Sequence, residues 1–339
     1  MAHSHLVGSV PLETPEQVFR TVLTHLRGTV DRVPDGEAGD RKGWIAHQFR
    51  ALSGVDGIED AKVRGAGQFP QLKIVRSVGD LKLGDLGYRD HALASYDTFA
   101  KLGREGVIPA DVRFQICFPT PIAVVGAFVA PEHQSAFEPI YERALLDELE
   151  AICAAIPHDQ LAIQWDVAIE VAMLEDTMRH WLGADPFGEV VSRLVRIGDA
   201  VPPDVQLGYH LCYGYRGRRH FKEPEDLGLL ARMAAAIQLR LSRPLSWIHM
   251  PVPVSRHDEA YFAPLKDLDL GQGQLFLGLV HREDGVAGTQ ARIRTAQGVL
   301  GGNGAFGVAT ECGMGQYPPE ALDDLLRIHA MVTTESAGG

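Results

Sequence analysis

The sequence predicts an α/β protein built as a single (β/α)₈ barrel, or TIM barrel, with residues 1–339 as one domain. Short apolar runs alternate with longer amphipathic segments, which is typical of a parallel sheet covered by helices. Eight or nine strand candidates in a chain of 339 residues favour a closed barrel over an open sheet. No G-x-G-x-x-G segment follows a strand candidate, so a dinucleotide-binding open sheet lacks its main support.

The strand candidates are short apolar runs bounded by turn residues. In chain order they are His5–Val10, Thr29–Pro34, Leu72–Val75, Val112–Phe118, Leu161–Val167, Val205–Cys212, Leu245–Met250, Gln274–Val280 and Ala305–Thr310. Residues 53–88 are rich in glycine, aspartate and lysine, which indicates a long irregular barrel loop that contains a small hairpin.

The helix candidates are longer and amphipathic. In Gln134–Ile156, apolar residues recur every three or four positions, the spacing of one buried helix face. Pro224 is followed by two acidic residues, which suits the positive end of a helix dipole and predicts a helix start there. The full set is Pro15–Leu26, Tyr88–Leu102, Gln134–Ile156, Phe187–Ile197, Pro224–Leu241, Ala287–Leu300 and Pro318–Met331.

Charge and composition narrow the class of protein. The chain has 32 Lys and Arg residues against 44 Asp and Glu, a net charge of −12. Nucleic-acid and anionic-membrane binders need a basic face, so both classes are disfavoured, whereas a small anionic substrate held by a few arginines is not. Four irregularly spaced cysteines and an N-terminus without a signal-peptide pattern predict a soluble cytoplasmic protein with reduced thiols.

Polar residues follow most of the predicted strands, at the end of a barrel where active sites are built. Such side chains are costly to bury unless they bind each other or a ligand, so the pattern predicts one shared site. The segments are Asp35-Gly36-Glu37, Gln164-Trp165-Asp166, Tyr209-His210-Leu211-Cys212, Ile248-His249-Met250, His281-Arg282-Glu283 and Thr310-Glu311-Cys312.

His210 and Cys212 form the most specific pair. Residues i and i+2 of a strand point to the same face, so an imidazole and a thiol converge, which suits Zn²⁺. Cys312 arrives at another strand end, and three N and S ligands with one open position are typical of a catalytic zinc site. The alternative is that Cys212 and Cys312 are ordinary buried thiols, as Cys117 and Cys153 are expected to be.

Three further features have roles that the residues alone leave open. His281 lies beside carboxylates, so it is either a general acid or base or part of an acidic helix cap. His249 is a metal ligand, a supporting hydrogen-bond donor or a packed core residue. The basic run from Arg216 to His220 is either a solvated loop or a site for an anionic substrate group.

The order of these motifs resembles the catalytic C-terminal barrel of cobalamin-independent methionine synthase. The wider superfamily includes epoxyalkane:coenzyme M transferase and, more distantly, uroporphyrinogen decarboxylase. The resemblance covers the chain from about Leu6 to about His329. It is carried by Gly8-Ser9-Val10-Pro11, Asp35-Gly36-Glu37, Gln164 and Asp166, His210-Leu211-Cys212, His281 and Glu311-Cys312-Gly313.

The resemblance implies a role for each of these positions. It implies that Zn²⁺ is held by His210, Cys212 and Cys312. It also implies catalytic roles for three residues, with Glu37 and Asp166 orienting the substrates and His281 acting in proton transfer. The positions expected to contact substrate are Ser9, Asp35, Gln164, His249 and Glu311.

The metal pattern departs from the methionine synthases in one respect. In that family the strand after His-x-Cys carries a zinc-binding glutamate, whereas Leu245–Met250 has no carboxylate. A His-x-Cys pair with a distant cysteine is closer to the pattern of epoxyalkane:coenzyme M transferase. Either His249 or the substrate is left for the fourth position.

The sequence therefore predicts a zinc-dependent alkyl- or methyltransferase that activates a thiol substrate. One alternative is a zinc-dependent lyase or hydrolase acting on a small polar substrate. Another is a non-catalytic metal-binding barrel, although a carrier needs only the metal ligands and not the surrounding carboxylates. The expected partner is a small molecule, with no nucleic acid and no membrane.

Overall fold

The computed structural model of the protein describes residues 3–41, 43, 45–65, 69–214, 217–301 and 305–335. Its main sheet has seven strands, each parallel to its neighbours. With strands numbered in chain order, the spatial order is β1 (Arg32–Pro34), β4 (Arg113–Pro119), β5 (Leu161–Val167), β6 (Gln206–Leu211), β7 (Trp247–Pro251), β8 (Gln274–Val280) and β9 (Phe306–Thr310).

The N-terminal segment closes this sheet into a barrel. Ser4 forms parallel bridges both to Val30, just before β1, and to Val308 in β9. The predicted strand His5–Val10 does not continue this ladder, because side chains take its carbonyl groups. The Leu6 carbonyl accepts from Gln115 Nε2 at 2.9 Å. The predicted barrel class is confirmed. The bridges of Ser4 take the place of the predicted first strand.

Helices cover the outside of the barrel, and all seven predicted helices are present. They are α1 (Pro15–Leu26), α2 (Ala46–Ser53), α3 (Tyr88–Arg104), α4 (Pro121–Phe128), α5 (Pro131–Ala155), α6 (Ile169–Leu174), α7 (Pro186–Asp199), α8 (Gly228–Arg240), α9 (Glu259–Phe262), α10 (Gly285–Leu300) and α11 (Leu322–Glu335). Among the described residues, no helix is both long and apolar enough to cross a membrane.

Helix α8 begins four residues later than its acidic start predicted. It starts at Gly228, whose N–H donates to Asp226 Oδ1 at 2.7 Å. Helix α4 was not predicted, because it is apolar on every side and shows no helical periodicity. Its start nevertheless has a local cause, since the Thr120 hydroxyl accepts from the Ala123 N–H at 3.0 Å and Pro121 is the first helical residue.

The predicted hairpin lies outside the barrel sheet. Strands β2 (Ile58–Arg64) and β3 (Pro70–Ile74) pair antiparallel, so the candidate Leu72–Val75 belongs to a hairpin and not to a barrel strand. The hairpin docks on the end of α4, where the Leu72 carbonyl accepts from the Ala130 N–H at 2.8 Å.

The inside of the barrel is lined by large and polar side chains. Strand alternation places Gly208, His210 and Cys212 on the inner face of β6 and its continuation. A Cβ at position 208 would lie 1.9 Å from the Trp247 ring, so only glycine leaves room for this indole in the interior. In register, His210 lies between Asp166 on β5 and His249 on β7.

Candidate metal centre

The three predicted metal ligands lie together inside the barrel. His210 belongs to β6, Cys212 follows it, and Cys312 follows β9, two strands beyond β7. Their ligand atoms all lie within 4.8 Å of one another, and His210 and Cys212 are buried. Strand periodicity brings the first two together, and the closure of the sheet brings Cys312 to them.

The tautomer of His210 follows from the hydrogen bonds behind it. His249 Nε2 lies 3.0 Å from the Thr310 carbonyl oxygen, which only accepts, so this nitrogen carries a proton. Burial lowers the pKa of His249 to about 3, so its ring is neutral and its Nδ1 is an acceptor. His210 Nδ1, at 2.6 Å from that atom, must therefore donate. This leaves His210 Nε2 without a proton.

These residues fit a zinc ion. His210 Nε2 is buried and has no hydrogen-bond partner among the described residues, which is rare for a buried polar atom. A metal would satisfy its lone pair, and His249 is the kind of hydrogen-bond partner that orients metal-binding imidazoles. One imidazole with two thiolates is a ligand set that suits Zn²⁺. Both nitrogens of His249 are used inside the protein, which leaves the fourth position to substrate or water.

The protonation of Cys212 depends on the metal. Its hydrogen bond with Cys312 and its burial raise the pKa of the thiol above the ordinary value. Without a metal, Cys212 therefore stays protonated at neutral pH. Metal binding must release this proton, so metal affinity is expected to rise with pH.

A cavity of about 900 Å³ opens beside the three ligands. The site positions predicted from the sequence that line it are Ser9, Glu37, Asp166, His210, Cys212 and Cys312. The other five predicted positions do not line it and are buried behind its wall; they are Asp35, Gln164, His249, His281 and Glu311.

Glu37 presents its carboxyl group from a strained turn. Its φ is +52°, a left-handed value that glutamate rarely adopts, and Gly36 before it has φ +77°. Asp35 holds this turn, because one carboxylate oxygen accepts from the Glu37 N–H at 3.0 Å while the other accepts from Arg41 at 3.0 Å and Ser95 at 2.9 Å. Asp35 therefore supports Glu37 and does not reach the cavity as expected.

Asp166 is positioned by a buried amide. Gln164 Nε2 donates to Asp166 Oδ1 at 2.9 Å, while Gln164 Oε1 accepts from His5 Nε2 at 2.9 Å and from Trp247 Nε1 at 3.3 Å. With these contacts Gln164 is fully buried. Its place is therefore beneath Asp166, where it orients the carboxylate, and not on the substrate side.

His281 follows β8 but lies behind the cavity wall. Its Nε2 donates to the Val252 carbonyl oxygen at 2.8 Å, and its Nδ1 lies 3.7 Å from Glu311 Oε2. Burial, together with Arg292, lowers the pKa of His281 to about 3, so the ring is neutral. His281, the histidine expected to transfer protons, therefore lies beside Glu311 and does not line the cavity.

His220 faces the cavity on this side, and the sequence showed it only as the end of a basic run. Its Nε2 lies 3.2 Å from Glu311 Oε1, and its Nδ1 lies 3.1 Å from Glu223 Oε1. Burial disfavours the cation, but the two carboxylates outweigh burial and raise the pKa of His220. Glu311 thus lies between His220 at the cavity and His281 behind it.

Of the other arginines in the basic run, one forms an ion pair and one lines the cavity. Arg216 lies outside the described residues. Arg218 forms an ion pair with Glu283 and stacks 4.3 Å from the centroid of the Tyr317 ring. Arg219 lines the cavity, so only part of the run is placed to meet an anionic substrate group.

Solved structures match the chain over nearly its full length. The B12-independent methionine synthase from Shewanella sp. W3-18-1, in complex with selenomethionine, has a TM-score of 0.68 at 13% identity and covers 99% of this chain and 98% of that one. The chain has a methionine synthase-like fold. No protein-family model and no curated protein matches the sequence.

Two further structures share this methionine synthase-like fold at similar identity. The putative vitamin-B12-independent methionine synthase from Listeria monocytogenes has a TM-score of 0.59 at 15% identity, covering 96% of this chain and 87% of that one. A methyltransferase from Methanosarcina mazei has a TM-score of 0.55 at 14% identity, covering 95% and 85%. The fold that the motif order implied is therefore the fold that the chain has.

Glu37→Gln should change how the stability of this barrel depends on pH. Burial raises the pKa of Glu37 from 4.5 to about 7, against the opposing charge of Arg41. Between these values the folded protein keeps a proton that the unfolded chain releases, so the free energy of unfolding falls as pH rises through the window. From pH 5 to pH 8, the stability of the variant relative to the parent should increase by about 2–3 kcal/mol.

Urea unfolding of both proteins at the two pH values measures this difference. Glu13→Gln is the matched control, because Glu13 also lines the cavity but is exposed. It should leave the pH dependence of stability as it is in the parent. A stability difference between Glu37→Gln and the parent that stays constant with pH would contradict the assignment.

Proposed function

We propose that the chain is a zinc-dependent transferase that moves an alkyl or methyl group to the sulfur of a thiol substrate. The proposal is carried by the convergence of His210, Cys212 and Cys312 on a cavity that also presents Glu37 and Asp166. Proteins with this fold include methionine synthases and a methyltransferase, which supports group transfer. The buried carboxyl groups of Glu37 and Asp166 in the cavity support an enzyme over a metal carrier.

Zinc held by the three ligands would lower the pKa of a thiol that joins it, so that thiolate predominates near neutral pH. The protein must take up the proton that such a thiol loses. Glu37 lines the same cavity, and its pKa of about 7 suits it as the acceptor. Asp166, held by Gln164, orients the polar end of a substrate.

The transfer forms a carbon–sulfur bond and breaks the bond from that carbon to its leaving group, which departs with the electron pair. His220, as the cation, holds a proton at the cavity for this group. Glu223 is an exposed partner that a substrate can displace from Nδ1, whereas Glu311 is buried and stabilises the cation. His281 lies behind Glu311 and outside the cavity, so in this scheme it does not touch the reacting groups.

The donor set favours sulfur chemistry over hydrolysis. Strand β7 adds no carboxylate, so the set is one imidazole and two thiolates, the pattern closer to epoxyalkane:coenzyme M transferase. Two thiolates leave little positive charge to acidify water.

All four cysteines are free thiols, which supports a further proposal that the protein works in the reducing cytoplasm.

Thiol binding tests the proposed function. Adding 2-mercaptoethanol to the cobalt-substituted Glu37→Gln variant, which cannot take up the thiol proton, should change the metal–sulfur absorption band and release about one proton per site, because the metal takes the deprotonated form. Ethylene glycol, which replaces the thiol by a hydroxyl, should do neither. If the metal is bound but thiols give no band and no proton, the transferase proposal fails and the lyase or hydrolase alternative takes its place.

A further inference from the structure

The cavity has a second wall, which the proposed transfer step does not use. The wall is made of large apolar side chains, namely Phe49, Phe69, Phe128, Ile169, Met178 and Phe221. The Phe128 ring lies with its centroid 5.7 Å from that of Phe49 and 5.6 Å from that of Phe69. The three phenylalanines therefore form one packed surface, here called the aromatic wall.

The aromatic wall and the metal ligands belong to different parts of the barrel. Phe49 lies in α2, which follows β1, and Phe128 ends α4, which follows β4. The ligands lie in β6 and directly after β6 and β9, whereas β1 and β4 are neighbours in the sheet. Since both groups line one cavity, an elongated molecule can place one end among the ligands and its body on the aromatic wall.

The wall is preformed by hydrogen bonds of the hairpin. Phe69 directly precedes β3, and the Gln71 side chain in that strand donates to the Ala127 carbonyl oxygen at 2.7 Å. The Ala130 N–H donates to the Leu72 carbonyl oxygen at 2.8 Å on the other side of Phe128. A ligand that covers this surface therefore does not have to order it first.

The cavity is larger than a substrate held by its polar groups alone would require. Its volume of about 900 Å³ is near the top of the range of about 300–1,000 Å³ seen for pockets that bind drug-sized ligands. A small polar thiol held by Glu37 and Asp166 would leave the aromatic wall in contact with water. Covering that wall with an apolar group is favourable because it removes apolar surface from water.

We propose that the site takes a substrate with an apolar body, an aliphatic chain or an aromatic ring, that lies on the aromatic wall. The inference rests on the proposed transferase function only for the reacting end of this molecule, which reaches His210, Cys212 and Cys312. Substrate selection then comes mainly from the half-buried rings of Phe49 and Phe69, with the buried Phe128 ring packed against both.

Two matched ligand series test this inference separately from the proposed function. Unbranched primary alkanethiols and alkanols from ethyl to octyl are titrated into the zinc-loaded protein by calorimetry. In both series the affinity should rise about threefold to fourfold for each added CH₂ group until the wall is covered. At each length the thiol should bind more tightly than the alcohol by a constant factor.

The two ideas fail in different ways. Affinities that do not change with chain length in either series would overturn the apolar substrate. Equal affinities of thiols and alcohols that still rise with chain length would overturn thiol activation and leave the apolar substrate supported.

A variant of the aromatic wall gives a second measurement. Phe69 is only half-buried, so Phe69→Ser should fold, and it should weaken binding of the octyl compounds by about fivefold to thirtyfold while ethyl compounds bind as before. Leu239→Ser is the control, because Leu239 is an exposed residue of α8 outside the cavity. An equal loss in both variants, or none in Phe69→Ser, would count against the aromatic wall as the binding surface.

Discussion

Cys212→Ser and Cys312→Ser should each remove zinc from the purified protein, which otherwise is expected to hold about one ion per chain. Among the described residues, this group offers three donor atoms to a metal, all within 4.8 Å of one another. Losing one thiolate therefore leaves two protein ligands. The fall in zinc affinity should exceed the roughly 10–100-fold that is typical when a residue supporting a ligand is replaced. Elemental analysis and competition with a chelating dye measure both quantities.

Two other variants calibrate this loss. Cys153→Ser removes a buried thiol from α5, away from the site, and should keep the full zinc content. His249→Phe removes the acceptor of the His210 Nδ1–H, and its zinc affinity should fall by about 10–100-fold. This loss is larger than that of Cys153→Ser and smaller than that of the ligand variants. Stoichiometric zinc in a Cys212→Ser/Cys312→Ser double variant would refute the ligand assignment.

His220→Gln should slow turnover by about 10²–10⁴-fold, the usual contribution of a positioned acid or base, while thiol binding stays unchanged. The imidazolium is the form that donates, and Glu311 and Glu223 raise the pKa of His220. The turnover number of the parent should therefore fall as pH rises through that pKa. The variant should lack this decline, which a purely structural role of His220 would not explain.

Replacing its neighbours separates the roles around His220. Glu223 is exposed, so Glu223→Gln is the matched control and should reduce turnover only slightly. His281→Ala should shift the pH dependence through Glu311 without removing it, since His281 lies 3.7 Å from that carboxylate and outside the cavity. If His281→Ala abolishes turnover while His220→Gln does not, His281 is the proton donor and the roles proposed above are reversed.

Local sequence patterns predicted most of the fold. The helix Pro15–Leu26 is found with the predicted bounds, and in the structure Thr14 caps its start, a proline fills its first position and one apolar face is buried. Helix α4 escaped prediction because burial on all sides removes the periodicity on which such a prediction rests. That residues 1–339 form one domain stays a prediction.

In the candidate site, too, the sequence predicted what neighbouring positions decide and missed what contacts between distant residues decide. His210 and Cys212 point the same way because strand side chains alternate, and this could be read from two positions of the sequence. Asp35 and Gln164 look like site residues by position, yet they are buried supports of Glu37 and Asp166. Only the partners of each polar atom distinguish a residue that faces a cavity from one that holds its neighbour.

The sequence by itself determined the barrel class, the seven predicted helices and the pairing of His210 with Cys212, since these follow from residue patterns within single elements and from the alternation of elements along the chain. Only the tertiary structure decided that His249 acts behind His210 through the Thr310 carbonyl, and that His220 faces the cavity instead of His281. Both results depend on the closure of the sheet, which sets distances between strands far apart in the chain. Periodicity within one strand or helix carries no information about those distances.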